Sequence, residues 1–108
     1  MRKLSVEPDS VLAAIKQRLL DAFGDNVQQI VLFGSRARGD AAQDSDYDVL
    51  LLVRSRAQVS EDRLDDVSYE LLDRYGAVVM IFVEEEAVFE RPSAEPLFDN
   101  IQREGAVL

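Results

Sequence analysis

Asp46 and Asp48 are the residues of this chain best suited to chemistry. They stand two apart at the head of an apolar run, Asp-Tyr-Asp-Val-Leu-Leu-Leu-Val, residues 46–53. Side chains alternate faces along a strand, so both carboxylates project from one face with their oxygens close together. Such a pair is a hard-oxygen site for a divalent cation, Mg²⁺ or Mn²⁺. Mg²⁺ commonly takes one or two protein carboxylates and completes its octahedron with substrate phosphates, so the pair asks for a phosphate-binding element nearby. Gly34-Ser35, at the end of Ile30-Val-Leu-Phe33, is that element. A glycine lets the backbone approach a phosphate closely, the following amides can point at it, and a serine hydroxyl adds a donor. Arg36 and Arg38 follow at once. In an acidic chain they read as ligands for phosphate or for transition-state charge, against the alternative of ordinary surface arginines. Ser45 turns the chain into the second strand and is the last candidate for the phosphate-binding set. Asp40 and Asp44 read as turn chemistry, because Asp readily bonds its own backbone in turns.

Gly34-Ser35, the ten residues Arg36 to Ser45, and Asp46-x-Asp48 resemble the signature of the DNA polymerase beta-like nucleotidyltransferase superfamily. Gly-Ser-x-Ala-x-Gly, followed by Ser-Asp-x-Asp and an apolar run, is specific. It makes the chain similar in particular to the minimal nucleotidyltransferases, small bacterial and archaeal proteins often encoded beside a helical HEPN-type partner. The stretch Pro96 to Leu108 resembles the tail many of them share. The resemblance implies a small α/β (α+β) nucleotidyltransferase fold. It also implies transfer of a nucleoside monophosphate, AMP above others, from a Mg²⁺-bound NTP to an acceptor hydroxyl, releasing pyrophosphate. Asp46 and Asp48 would be the catalytic carboxylates and metal ligands. Gly34 and Ser35 would position the β- and γ-phosphates, with Arg36, Arg38 and Ser45 beside them. The acceptor would lie on a HEPN-type protein, making the chain the antitoxin of a toxin–antitoxin pair. A binding module that keeps the nucleotide pocket but mainly holds a helical partner stays open as the alternative. The family usually carries a third acid on a neighbouring strand, and this chain departs there.

Composition narrows the field independently. The 108 residues are enough for one domain spanning 1–108 and a real core. Twelve Lys and Arg against 21 Asp and Glu give a net charge of -9, which argues against tracking a long nucleic-acid backbone. The partners expected are therefore a nucleotide and a protein, with a homo-oligomer left open. No cysteine and no histidine means no disulfide, no thiolate or imidazole zinc site and no His-based triad. Neither a leader-like apolar segment nor a run of roughly 20 apolar residues is found, so no membrane is expected and the expected location is cytoplasmic.

The elements that must position the site follow from periodicity, in the order α-β-β-α-β-α. Pro8-Asp9-Ser10 opens a first helix, with Asp9 or Ser10 as its cap; Val11, Leu12, Ile15, Leu19, Ala22 and Phe23 form its apolar face and Gly24 ends it. Residues 28–33 make a first strand. Residues 47–53 make the central strand, nearly continuously apolar past Asp48 and hence covered on both faces. The two pair antiparallel, which brings Gly34 to the level of the carboxylates. Ser60 caps a second helix whose Leu64, Val67, Leu71 and Tyr75 share a face and which Gly76 stops. Residues 77–83 read as a third, fully buried strand, parallel to the second because a helix intervenes. A mixed sheet of three to four strands results.

In that geometry Ala77, Val78 and Val79 lie level with the two aspartates, and none of them can bind a metal. Glu84, Glu85 and Glu86 open a short helical turn at the far end of the sheet and are read as satisfied by its dipole rather than as a metal site. Pro92 and Pro96 break the chain, and residues 97–104 form a last helix closed by Gly105. Leu97, Phe98, Ile101, Val107 and Leu108 are unusually apolar for a chain end, and suggest a partner contact against the plainer alternative of core packing.

Overall fold

The structure, a computed structural model, describes residues 2–3, 10–42, 45–91 and 95–108. The expected cap Asp9, the turn residue Asp44 and the break at Pro92 lie outside the described residues. Five strands and five α-helices are present among them: β1 (Arg2–Lys3), α1 (Ser10–Phe23), β2 (Val27–Phe33), α2 (Ser35–Arg38), β3 (Tyr47–Val53), α3 (Glu61–Tyr75), β4 (Val79–Glu85), α4 (Glu86–Phe89), α5 (Pro96–Glu104) and β5 (Ala106–Val107).

The strands form one mixed sheet in the order β1-β5-β2-β3-β4. Its three long strands are those the sequence predicts. β2 runs antiparallel to β3, with Phe33 opposite Asp48, so the chain leaves β2 for Gly34 at the level where β3 begins. β4 runs parallel to β3 across the α3 crossover, with Tyr47 opposite Val79 and Asp48 opposite Met80. The two-residue strands β1 and β5 extend the expected three or four strands to five. β5 pairs antiparallel with β2 through Val31–Val107 and Leu32–Ala106, and Leu108 N–H donates to the Ile30 carbonyl at 2.9 Å.

The local rules that place α3 are plain. Ser60 Oγ accepts from the Arg63 amide, and Glu61 and Asp62 occupy the positive first turn. Gly76 takes φ 64° in the left-handed region, and its N–H closes onto the last turn. Leu12, Ala14, Ile15 and Leu19 of α1, with Val67 and Leu71 of α3, bury against Tyr47, Val49, Leu51 and Val53 on one face of β3. On its other face Leu50 and Leu52 meet Phe89 of α4 and Ile101 of α5, with Phe98 packed alongside. Burying a strand on both faces accounts for the unbroken apolar run of β3, as its composition implied.

Three expectations need correction. β4 starts two residues later than predicted and is the edge strand rather than a fully buried one: Met80 and Phe82 are 45% and 42% exposed, while Val79 is buried. An apolar edge strand and an apolar buried strand have the same composition, so the run could not tell them apart. Glu84 and Glu85 belong to β4, not to a helical turn; Glu85 accepts from the Arg56 amide at 3.0 Å, and Glu84 lies 3.9 Å from the Arg56 guanidinium. Finally, the chain end is mostly core. Ile101 is 1% exposed, Ala106 is buried and Leu108 packs on the α1/α3 cluster, leaving Leu97 as the exposed member.

Candidate functional site

Gly34 is the hinge of the site. It takes φ 75° and ψ -157°, a conformation closed to L side chains, and its carbonyl accepts from the Ala37 and Arg38 amides at 3.1 Å, starting the single turn α2. A Cβ placed there would stand 2.5 Å from Asp48 Oδ2. The glycine is thus needed twice, for its backbone angle and because the Asp48 carboxylate occupies the space a side chain would take. The phosphate-type turn and the carboxylate that the sequence paired by spacing are in contact.

Asp46 precedes β3 and is exposed, and Asp48, half-buried, is the second residue of the strand. Burial first, and the charge of Asp46 second, push the Asp48 carboxyl above the usual aspartate range, while Arg38 pulls it back. Asp46 is therefore close enough to disfavour ionisation of Asp48, and a divalent cation is the ligand whose charge relieves that conflict. The pair fits a hard cation as a donor set. Among the described residues no group of three acidic, histidine or cysteine side chains gathers to hold a metal.

The two arginines part company. Their separation of two on a helical turn points them to different sides. Arg38 stays with the carboxylates: its Nε lies 3.3 Å from Asp40 Oδ2, its Nη1 lies 3.4 Å from Glu104 Oε2, and its charge is felt at Asp48. Arg36 instead turns to the Tyr47 side of β3. Its Nε and Nη2 both donate to the Ser45 carbonyl, at 2.9 and 2.7 Å, and its guanidinium lies 3.8 Å above the Tyr47 ring. Ser45 also donates its amide to the Ala42 carbonyl, making the turn into β3. Of the sequence candidates, then, Gly34, Ser35, Asp46, Asp48 and Arg38 lie together, and Arg36 and Ser45 bond to one another.

Tyr47 and Met80 are neighbours of the site that the sequence did not single out. Tyr47 was read only as strand. Met80 was misplaced because the expected level of β4 was one residue short: Val79 is opposite Tyr47, on the wrong face, and Met80 is beside Asp48. Glu84 pairs with Leu52, four residues further on, roughly 13 Å along the strand. A cavity of about 420 Å³ follows the β4 edge past Phe82 and Phe98, but neither aspartate nor Gly34 lines it.

A family model described as nucleotidyltransferase domain matches residues 12–102. The chain belongs to this family. As a nucleotidyltransferase it is an enzyme, and the mixed sheet with helices on both faces is the family's fold. The chain is 34% identical over 90 residues to "Putative protein adenylyltransferase MJ0604" of Methanocaldococcus jannaschii, covering 83% of this chain and 86% of that protein. In structure, the nucleotidyltransferase superposes on a chain of a toxin–antitoxin complex with AMP-PNP, at TM-score 0.62 and 19% identity, covering 86% of this chain and 68% of that one. It also superposes on a chain from the complex of tri-AMPylated Shewanella oneidensis HEPN toxin with MNT antitoxin, at TM-score 0.59 and 18% identity, covering 88% of this chain and 66% of that one. Among the described residues no helix is long and apolar enough to cross a membrane.

Proposed function

We propose that this nucleotidyltransferase transfers AMP from ATP to a hydroxyl on a protein partner of the HEPN type, as the antitoxin of a toxin–antitoxin pair. The reading is supported above all by one observation: Asp48 lies in the space left by the missing Gly34 side chain, which sets this carboxylate against the turn that would hold the phosphates. The protein adenylyltransferase name of the relative and the AMPylated toxin of the structural neighbour support AMP as the group and a protein as the acceptor.

Asp46 and Asp48 would hold a divalent cation, Mg²⁺ or Mn²⁺. When bound, that ion supplies charge neutralisation for the triphosphate and the departing pyrophosphate. The Ser35 hydroxyl and the amides that begin α2 present donors to the β- and γ-phosphates. Arg38, on the carboxylate side of α2, offers a guanidinium to the same phosphates once it leaves Asp40 and Glu104. Bond formation is between the acceptor oxygen and the α-phosphorus; the α–β bridge breaks, and the acceptor proton must be taken up by a base. Met80 stands level with Asp48 where a carboxylate would serve that role. We therefore expect the acceptor or its protein to contribute the base, and the isolated chain to turn over slowly.

Incubation with ATP labelled in the α-phosphate, Mg²⁺ and a HEPN-type protein should label that protein covalently, and Asp46→Asn with Asp48→Asn should remove the label. Persistent labelling by the double variant would refute the site. Rapid transfer by the chain to a generic hydroxyl acceptor, on the order of 1 per second or faster, would refute the need for a partner's base.

A further inference from the structure

One side chain ties the phosphate turn to the peptide before the first aspartate. The Ser45 carbonyl belongs to the peptide that leads into Asp46, and Arg36 gives it two hydrogen bonds from one guanidinium fork. The same guanidinium lies over the ring of Tyr47, the residue between the two acids, 3.8 Å from its centroid. Tyr47 is itself fixed at its backbone, its N–H donating to the Val78 carbonyl at 2.9 Å, and its ring is buried against the α1/α3 core. Asp46 has no ladder of its own in β3, which begins at Tyr47. Its direction depends on the peptide before it and the residue after it, and Arg36 grips both.

We propose that Arg36 is a positioning residue that sets the spacing of Asp46 and Asp48 from the opposite face of β3, rather than a ligand of the triphosphate. This rests on the reading of the two aspartates as a cation site. The arrangement requires arginine: a fork can direct two N–H groups at one carbonyl while its plane stacks on a ring, and an ammonium can do neither together. Groups that orient metal ligands without touching the metal are commonly worth about 10–100-fold in metal affinity. A cavity of about 210 Å³ lined by Arg36, Ser45, Tyr47, Tyr75 and Val78 opens beside the guanidinium, so a small cation can reach the place this side chain would vacate.

The experiment titrates Mn²⁺ alone, followed by electron paramagnetic resonance, into the full chain and into Arg36→Ala and Arg36→Lys. ATP binding in EDTA is measured in parallel. Arg36→Ala should bind Mn²⁺ at least about tenfold more weakly, added guanidinium should restore most of the loss, and metal-free ATP binding should stay as in wild type. Arg36→Lys keeps charge and stem, and it should also lose Mn²⁺ affinity; it decides the matter if Arg36→Ala does not fold. Unchanged Mn²⁺ affinity in either folded variant, or loss of metal-free ATP binding in place of Mn²⁺ binding, overturns the role. Wild type that binds no Mn²⁺ overturns the cation reading beneath it instead.

Discussion

The two faces of β3 are built for different ends. Toward α1 and α3, Tyr47, Val49, Leu51 and Val53 are all buried and the surface is closed. Toward α4 and α5 the cover is partial: Leu50 and Leu52 lie under Phe89 and Ile101, while Asp48 at the head of the strand is half-buried and Met80 and Phe82 beside it are open. One seven-residue strand is thus scaffold along one side and site at one end of the other. Because alternation separates the two sets, residues on the open face can change chemistry at small cost in stability. Residues on the closed face cannot.

The sharpest way to break this comparison is Leu51→Ala. Leu51 is fully buried on the closed face, and its truncation should cost about 2–5 kcal/mol in urea unfolding. A loss below about 1 kcal/mol would mean that the closed face is not close-packed.

A change on the open face should behave otherwise. Met80→Asp puts a third carboxylate level with Asp48 at an exposed position, and should raise Mn²⁺ affinity about tenfold, near 1.4 kcal/mol, with little change in unfolding. Val79→Asp, one residue away but facing the core, should destabilise the chain and bind no better; equal behaviour of the two would contradict the register.

The smallest effect concerns Asp48 itself. Its carboxyl is held above the usual range in the fold, so the native state takes up the proton more readily than the unfolded chain. Its contribution therefore disfavours the fold in full above the raised value, and the penalty fades as pH falls from that value to the unfolded one, below which it is gone. Asp48→Asn should accordingly raise the melting temperature at neutral pH and leave it unchanged in acid, while abolishing Mn²⁺ binding. A variant less stable than wild type at neutral pH would count against the electrostatic conflict at the pair.

Much of this was legible because the signals were redundant. β3 was bounded correctly since an aspartate pair, a β-rich apolar run and a polar stretch agree on its ends. α3 was bounded by Ser60 and Gly76, each with its own backbone reason. The parallel pairing of β3 and β4 followed from the intervening helix alone. Other features left weaker traces. β1 and β5 are two residues each, too short for any period to register. The role of Gly105 was half seen: it does end α5, but it is required by space, since a Cβ would stand 2.6 Å from the Ile101 carbonyl and 2.7 Å from Val31 Cγ1. The one-turn helix α2 has no place in the element order that periodicity gives, and without it the sequence does not show the opposed directions of Arg36 and Arg38, which follow from their spacing on a helix.

The outer edge of β4 has a consequence for how copies of the molecule treat one another. No strand in the described sheet pairs with that edge, and it presents Val78, Met80 and Phe82 to solvent. Such an edge is a template for another chain's backbone. The defence is collective rather than local: at a net charge of -9, two molecules repel before their edges meet. Acid that neutralises the carboxylates, or salt that shortens the reach of their field, removes that repulsion while leaving the edge intact. Colloidal stability of the protein is therefore set by its surface charge, and turbidity should rise in acid or concentrated salt well before the fold itself is lost.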